Sequence, residues 1–144
     1  MKKINIILVF LICFLALKPS LSQELLIIAN KSLPVDYVSK RDIKLIYLKK
    51  KLFIKYVRVI PVNLHPFNPL RDIFNKYVLG MDEEQLALYW NEMYLRGIDP
   101  PIVLKSQKAV VRFVSKVEGA IGYITPKYLN NTVKVILRIK IDEN

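Results

Sequence analysis

Residues 118–124, Glu118-Gly119-Ala120-Ile121-Gly122-Tyr123-Ile124, hold two of only four glycines in a chain of 144 residues. Working outward from this stretch gives the order of the surrounding elements. Upstream, Ser106 is a good N-cap, and Val110, Phe113, Val114 and Val117 recur at the spacing of one helix face. A helix there needs a stop, and Gly119 at the C′ position supplies one because glycine turns through positive φ without steric cost. Ala120 to Thr125 then reads as a strand. A glycine inside a strand weakens it, so Gly122 marks a bulge or a close approach by another backbone or a ligand.

The rest of the chain alternates in the same way. Leu25 to Ala29 is a short, continuous apolar run, the pattern of a buried strand. Ser39 caps a helix over 40–48 with Ile43, Ile46 and Tyr47 on one face, running into the cationic stretch Lys49 to Lys51. Val57 to Asn63 predicts a second strand, in which Pro61 cannot donate to a neighbour. Asn68 as N-cap, Pro69 at N1 and Gly80 past the end bound a helix over 69–79. Asp82-Glu83-Glu84 opens another, with Leu86, Tyr89, Trp90 and Met93 on one face and Gly97 at its end. An extended Pro100-Pro101 segment leads to Ser106, and Val133 to Ile141 alternates as a last strand. Strands separated by helices predict an α/β domain with a mainly parallel sheet flanked by helices.

The N-terminus is read apart from the fold. Met1-Lys2-Lys3 and the apolar run Ile4 to Leu17 form the n- and h-regions of a secretory signal. Small residues at Ser20 and Ser22 place cleavage before Gln23, so residues 1–22 are expected to leave and 23–144 to form one domain. A retained anchor is the alternative, although the run is shorter than the ~20 residues of a spanning helix. The lone cysteine, Cys13, lies in this segment, and the remaining chain has none, which suits an oxidising compartment. The whole chain carries a net charge of +11. Lys2, Lys3 and Lys18 fall within the first 22 residues, leaving 20 Lys and Arg against 12 Asp and Glu, or +8. For an exported domain that balance points away from nucleic acid and toward small oxyanions, lipid head groups or acidic proteins, or else toward a lysine-rich soluble surface.

Four stretches together resemble one lobe of the type 2 periplasmic binding proteins, specifically the phosphate-binding proteins of bacterial phosphate importers. Val38 to Lys49 is similar to that family's "lS...l..IYlGk" helix. Val59 to Phe74 is similar to its "I.VV.R..gSGT...F" strand, loop and helix, Tyr89-Trp90 falls on the helix that follows, and Val110 to Ile124 matches "V...V...pGAIGYV". The short exported members of the superfamily are closer still, through Pro61 to Leu64, Leu70 to Gly80, Tyr89 to Asn91, Gly97 to Ser106 and Arg112 to Tyr123. The resemblance spans about Leu26 to Pro126 and implies a single three-layer lobe of the periplasmic binding protein-like II fold.

It further implies a non-catalytic binding module for an inorganic oxyanion such as phosphate, held where Asn63, His65, Asn68, Arg71 and Gly122 meet. This sequence departs from the family at the residues that hold the anion. With Phe74 aligned, the family's Ser-Gly-Thr falls on Asn68, Pro69 and Leu70 and its arginine on Leu64, so hydroxyls, an N–H and a guanidinium are missing. One lobe also lacks the opposite wall of the cleft. Weak binding is therefore expected, or binding completed by an envelope protein or a homodimer, with a protein–protein scaffold that has lost the ligand as the alternative.

The other constellations are weaker. His65 has no companion that would make a metal site or triad, and its loop also reads as a solvated turn. Trp90, with Tyr89 and Tyr94, reads as core sooner than as a stacking platform. Lys49 to Lys51, Lys55 and Arg58 form either an anionic docking patch or a solvated loop. No nucleophile elbow and no acid/base pair is present, so neither enzyme chemistry nor a cofactor is expected.

Overall fold

The computed structural model describes residues 23–142, so the expected signal segment, residues 1–22, lies outside the described residues. Seven strands and four α-helices follow one another as β1 (Gln23–Ala29), α1 (Lys40–Tyr47), β2 (Phe53–Ile54), β3 (Val57–Arg58), β4 (Ile60–Leu64), α2 (Pro69–Phe74), α3 (Glu83–Leu95), β5 (Ile102–Leu104), α4 (Gln107–Lys116), β6 (Ala120–Ile124) and β7 (Lys134–Ile141). Five of the strands form one sheet in the order β5-β4-β6-β1-β7, and β2 with β3 makes a separate hairpin. The ladders β5–β4 and β4–β6 are parallel, while β1 is antiparallel to both β6 and β7. Four of the five strands therefore run one way and β1 alone opposes them.

Residue parity in β6 separates the two faces of this sheet. Gly122 turns to one face, where an added Cβ would stand 2.5 Å from Val110 Cγ1 and 3.2 Å from Val114 Cγ2, both on α4. Tyr123 turns to the other, where its ring stacks on Phe74 of α2 at 4.0 Å and lies 6.1 Å from Tyr47 of α1. The molecule is thus three layers, α4 on one side and α1 and α2 on the other, with Leu25 to Ala29, Ile121 and Tyr123 fully buried between them.

Each predicted N-cap is used, and Asp82, expected only as negative charge at a helix start, is a further one. Ser39, Asn68, Asp82 and Ser106 accept hydrogen bonds from Asp42 N, Leu70 N, Gln85 N and Ala109 N, and Asp82 with Gln85 completes a capping box. The expected strand over 57–63 is broken in two. Its first residues fold back on Phe53–Ile54 through a turn at Lys55, which takes a φ of 51° without the glycine that would have signalled it. Pro61 sits in β4, paired with Ile121, but the β5 ladder begins only at Val62, so its missing N–H costs no strand bond on that side. The helix expected over 69–79 is α-helical only to Phe74, and Asn75–Leu79 continues as a π-helical turn that Gly80 stops at a φ of 63°. β5, expected only as an extended segment, is an edge strand.

Gly119 answers differently from the expectation. Val117 caps α4, so Gly119 lies two residues beyond the cap and not at C′. It holds a φ of 75°, and a Cβ there would fall 2.1 Å from the carbonyl oxygen of Arg58. Its own carbonyl accepts from Ile60 N at 2.9 Å and starts the β4–β6 ladder. Among the described residues no helix is long and apolar enough to cross a membrane.

Candidate functional site

The C-terminal ends of the parallel strands β5, β4 and β6 lie side by side, and the connections from β4 and β6 leave toward opposite edges of the sheet. Such a divergence opens a crevice at the strand ends, the usual place for a ligand in an open α/β sheet. At this edge β4 runs into the loop His65 to Asn68, β5 into Lys105 and the start of α4, and β6 into Thr125. His65, Phe67, Asn68, Pro69 and Lys105 line an open groove of about 480 Å³ here.

The loop is built by its own hydrogen bonds. His65 N donates to Leu104 O at 3.1 Å and so ties the loop to β5. Asn68 N donates to His65 O at 2.9 Å, and Phe67 N donates to His65 Nδ1 at 3.3 Å. With Nδ1 accepting, the neutral ring carries its proton on Nε2. Asn68 Oδ1 is occupied by Leu70 N, and Arg71 N donates to Asn68 O. The first N–H groups of α2 are therefore spent within the loop, and Pro69 has none. Phe67, 91% exposed, stands over the groove with its ring 5.1 Å from that of His65.

Of the five residues expected to meet at the anion, the structure brings His65 and Asn68 into the groove and assigns the others elsewhere. Arg71 is engaged within the chain. Its Nε and Nη2 donate to the two oxygens of Glu83 at 2.7 and 3.3 Å, and Nη1 donates to Leu64 O at 2.8 Å, with the side chain 11% exposed. The same Glu83 accepts from Asn75 Nδ2 at 2.7 Å, so one carboxylate knits α2, the π-turn and α3. Asn63 is 7% exposed, and its Oδ1 accepts from Leu64 N at 2.9 Å and from the Tyr123 hydroxyl. Gly122 lies on the opposite face beneath α4, so the close approach it permits is by valine side chains of this chain's own core.

Three residues of this region went unassigned in the sequence. Lys105 precedes the Ser106 cap at a strand-to-helix junction, where strand ends gather ligands. Tyr123 was legible by parity alone: if Gly122 faces a helix, Tyr123 faces the other layer. Burial pushes the Tyr123 hydroxyl well above the ordinary tyrosine range, against the opposing effect of the Leu64 N–H bond; Tyr47 is raised as well, by burial and by Tyr123. Both remain neutral hydrogen-bonding groups, Tyr47 donating to Val62 O at 2.8 Å. Glu83, read as a helix-dipole residue, is the counter-ion of Arg71; its sequence distance from Arg71 gives no signal of that. Among the described residues no cluster of His, Cys, Asp and Glu could hold a metal ion.

No protein-family model and no curated protein matches the sequence. Solved structures do. An ABC-type phosphate transport receptor from Vibrio cholerae aligns at 17% identity with a TM-score of 0.64, over 79% of this chain and 45% of that one. A putative phosphate ABC transporter substrate-binding protein with bound phosphate, from Clostridium perfringens, aligns at 22% identity and 0.64, over 79% and 44%. PstS from Borrelia burgdorferi aligns at 14% identity and 0.62, over 79% and 46%. The chain spans somewhat less than half the length of these proteins, and over that span its fold is theirs.

Proposed function

We propose that this chain is an exported, non-catalytic binding module whose ligand edge is the groove between the β4–α2 loop and Lys105, and that it holds an inorganic oxyanion such as phosphate weakly until a second wall closes over it. The observation that carries this reading is the state of Arg71. With its guanidinium committed to Glu83 and Leu64 O, the groove keeps as donors only the exposed His65 Nε2–H, the Lys105 ammonium and the Asn68 amide. Few, water-exposed donors give weak affinity. The fold shared with phosphate receptors supports the ligand class, and the 91% exposed Phe67 at the lip supports closure by a partner surface.

Titration with phosphate, sulfate and molybdate, followed by thermal denaturation, tests this. Occupancy raises stability as RT ln(1 + [L]/Kd), so a shift is expected only as the ligand reaches millimolar concentration. Lys105→Ala should abolish the shift. No shift with any oxyanion would favour the second reading, a protein-interaction scaffold that has kept the lobe and lost the ligand.

A further inference from the structure

A second cationic surface lies between α1 and the π-turn. Lys40, Arg41 and Lys44 of α1 face Lys76 and Tyr77 of the π-turn across an open channel floored by Val78 and Leu79. Lys40, Arg41 and Lys76 are exposed and Lys44 is half-buried. None of the four has a carboxylate within ion-pair distance among the described residues. On α1 the acid Asp42 is taken by Lys51 at 3.0 Å, while Lys76 also borders a groove that holds Asp72, Asp82 and Glu83. Elsewhere Lys134, Arg138 and Arg96 are paired with Asp36, Glu24 and Glu92. Four cations without an ion-pair partner around one channel reinforce one another's attraction for anions.

Two observations define the partner. First, nothing in the channel is built to cage one small anion. The Ser39 hydroxyl caps α1 through Asp42 N, and the cations stand on long stems over an apolar floor. Second, the channel lies where the chain enters the fold. The Tyr77 hydroxyl donates to Asp142 O at 3.2 Å, next to Ile141, whose register partner is Gln23. Gln23 is preceded in sequence by the apolar run Ile4 to Leu17.

We infer that the channel of Lys40, Arg41, Lys44 and Lys76 docks the domain on an anionic phospholipid bilayer. A fluid array of head groups suits mobile ammonium and guanidinium groups better than a fixed site does, and a half-buried tyrosine beside them fits the polar–apolar boundary of a membrane. In this orientation the α1 side and the β7 edge meet the lipid.

The test is vesicle flotation of the full chain with phosphatidylcholine alone and with phosphatidylcholine containing phosphatidylglycerol. Any contribution of the apolar N-terminal run is common to both vesicle types, so the ratio of the two partition coefficients isolates the charge effect. Each cation near an anionic surface is worth roughly fivefold in partitioning. Lys40→Glu/Arg41→Glu/Lys76→Glu should thus lower the ratio by at least about 100-fold, the share of three lost cations before repulsion by the new carboxylates is added. The control Lys108→Glu/Arg112→Glu/Lys116→Glu carries the same net charge on the outer face of α4 and should leave most of the preference intact. Circular dichroism checks that both variants are folded. The inference is overturned if the parent shows no preference for phosphatidylglycerol, if the α1 variant keeps it, or if the α4 control loses as much.

Discussion

Gly122 and Tyr123 are covalent neighbours in β6, yet they belong to two regions held together by different physics. The Gly122 face is an apolar seam in which Val62 and the valines of α4 close to 2.5–3.2 Å of where a Cβ would be. The Tyr123 face is a wired region: Tyr47, Tyr123 and Phe74 pack as rings, while hydroxyl, amide and guanidinium groups connect β4 to α2 and α3. On the first face stability depends on volume, and on the second it depends on keeping every buried polar group paired.

The largest effect is expected from filling the seam. Gly122→Val must displace Val110 and Val114, and overpacking of that kind costs about 3 kcal/mol, read as a loss in denaturant midpoint with unchanged slope. A tolerated valine there would mean that the two faces do not differ as described. Gly119→Ala meets a backbone oxygen and an unfavourable φ together, and a loss of about 2–3 kcal/mol by the same measurement is expected.

Breaking the wired face should cost less per change and depend on what is left behind. Arg71→Ala strands Glu83 and Leu64 O; because Glu83 is 39% exposed, water recovers part of the loss, and about 1–2 kcal/mol is expected. In oxyanion titrations the same variant should retain the parent's affinity, since its guanidinium is internal. A drop there would return Arg71 to the ligand and sink the proposed site.

Tyr123→Phe removes a donor to Asn63, but Leu64 N keeps its bond to Asn63 Oδ1, so about 1 kcal/mol is expected. The tyrosines also set an alkaline limit. Unfolding returns Tyr47 and Tyr123 from raised values to about 10, so above that pH the unfolded chain sheds protons that the folded chain keeps. The stability they contribute is whole below pH 10 and falls as pH rises beyond it. Unfolding titrations should show that slope in the parent and a shallower one in Tyr123→Phe. The smallest effect should be that of His65→Ala, on an exposed loop, where a change within about 0.5 kcal/mol is expected.

The sequence by itself determined where the capped helices of this protein start, its α/β class and its glycine-marked strand. Caps at Ser39, Asn68, Asp82 and Ser106, and apolar spacing such as Ile43, Ile46 and Tyr47, are local properties that act within a turn or two of chain. It even carried the likeness in fold to phosphate receptors. Only the tertiary structure decided which side of the sheet Gly122 faces, that Lys55 turns a hairpin without glycine, and that Arg71 spends its charge on Glu83. Those outcomes depend on which groups meet after the chain has folded over itself, and a carboxylate twelve residues away gives no local sign that it will claim a guanidinium.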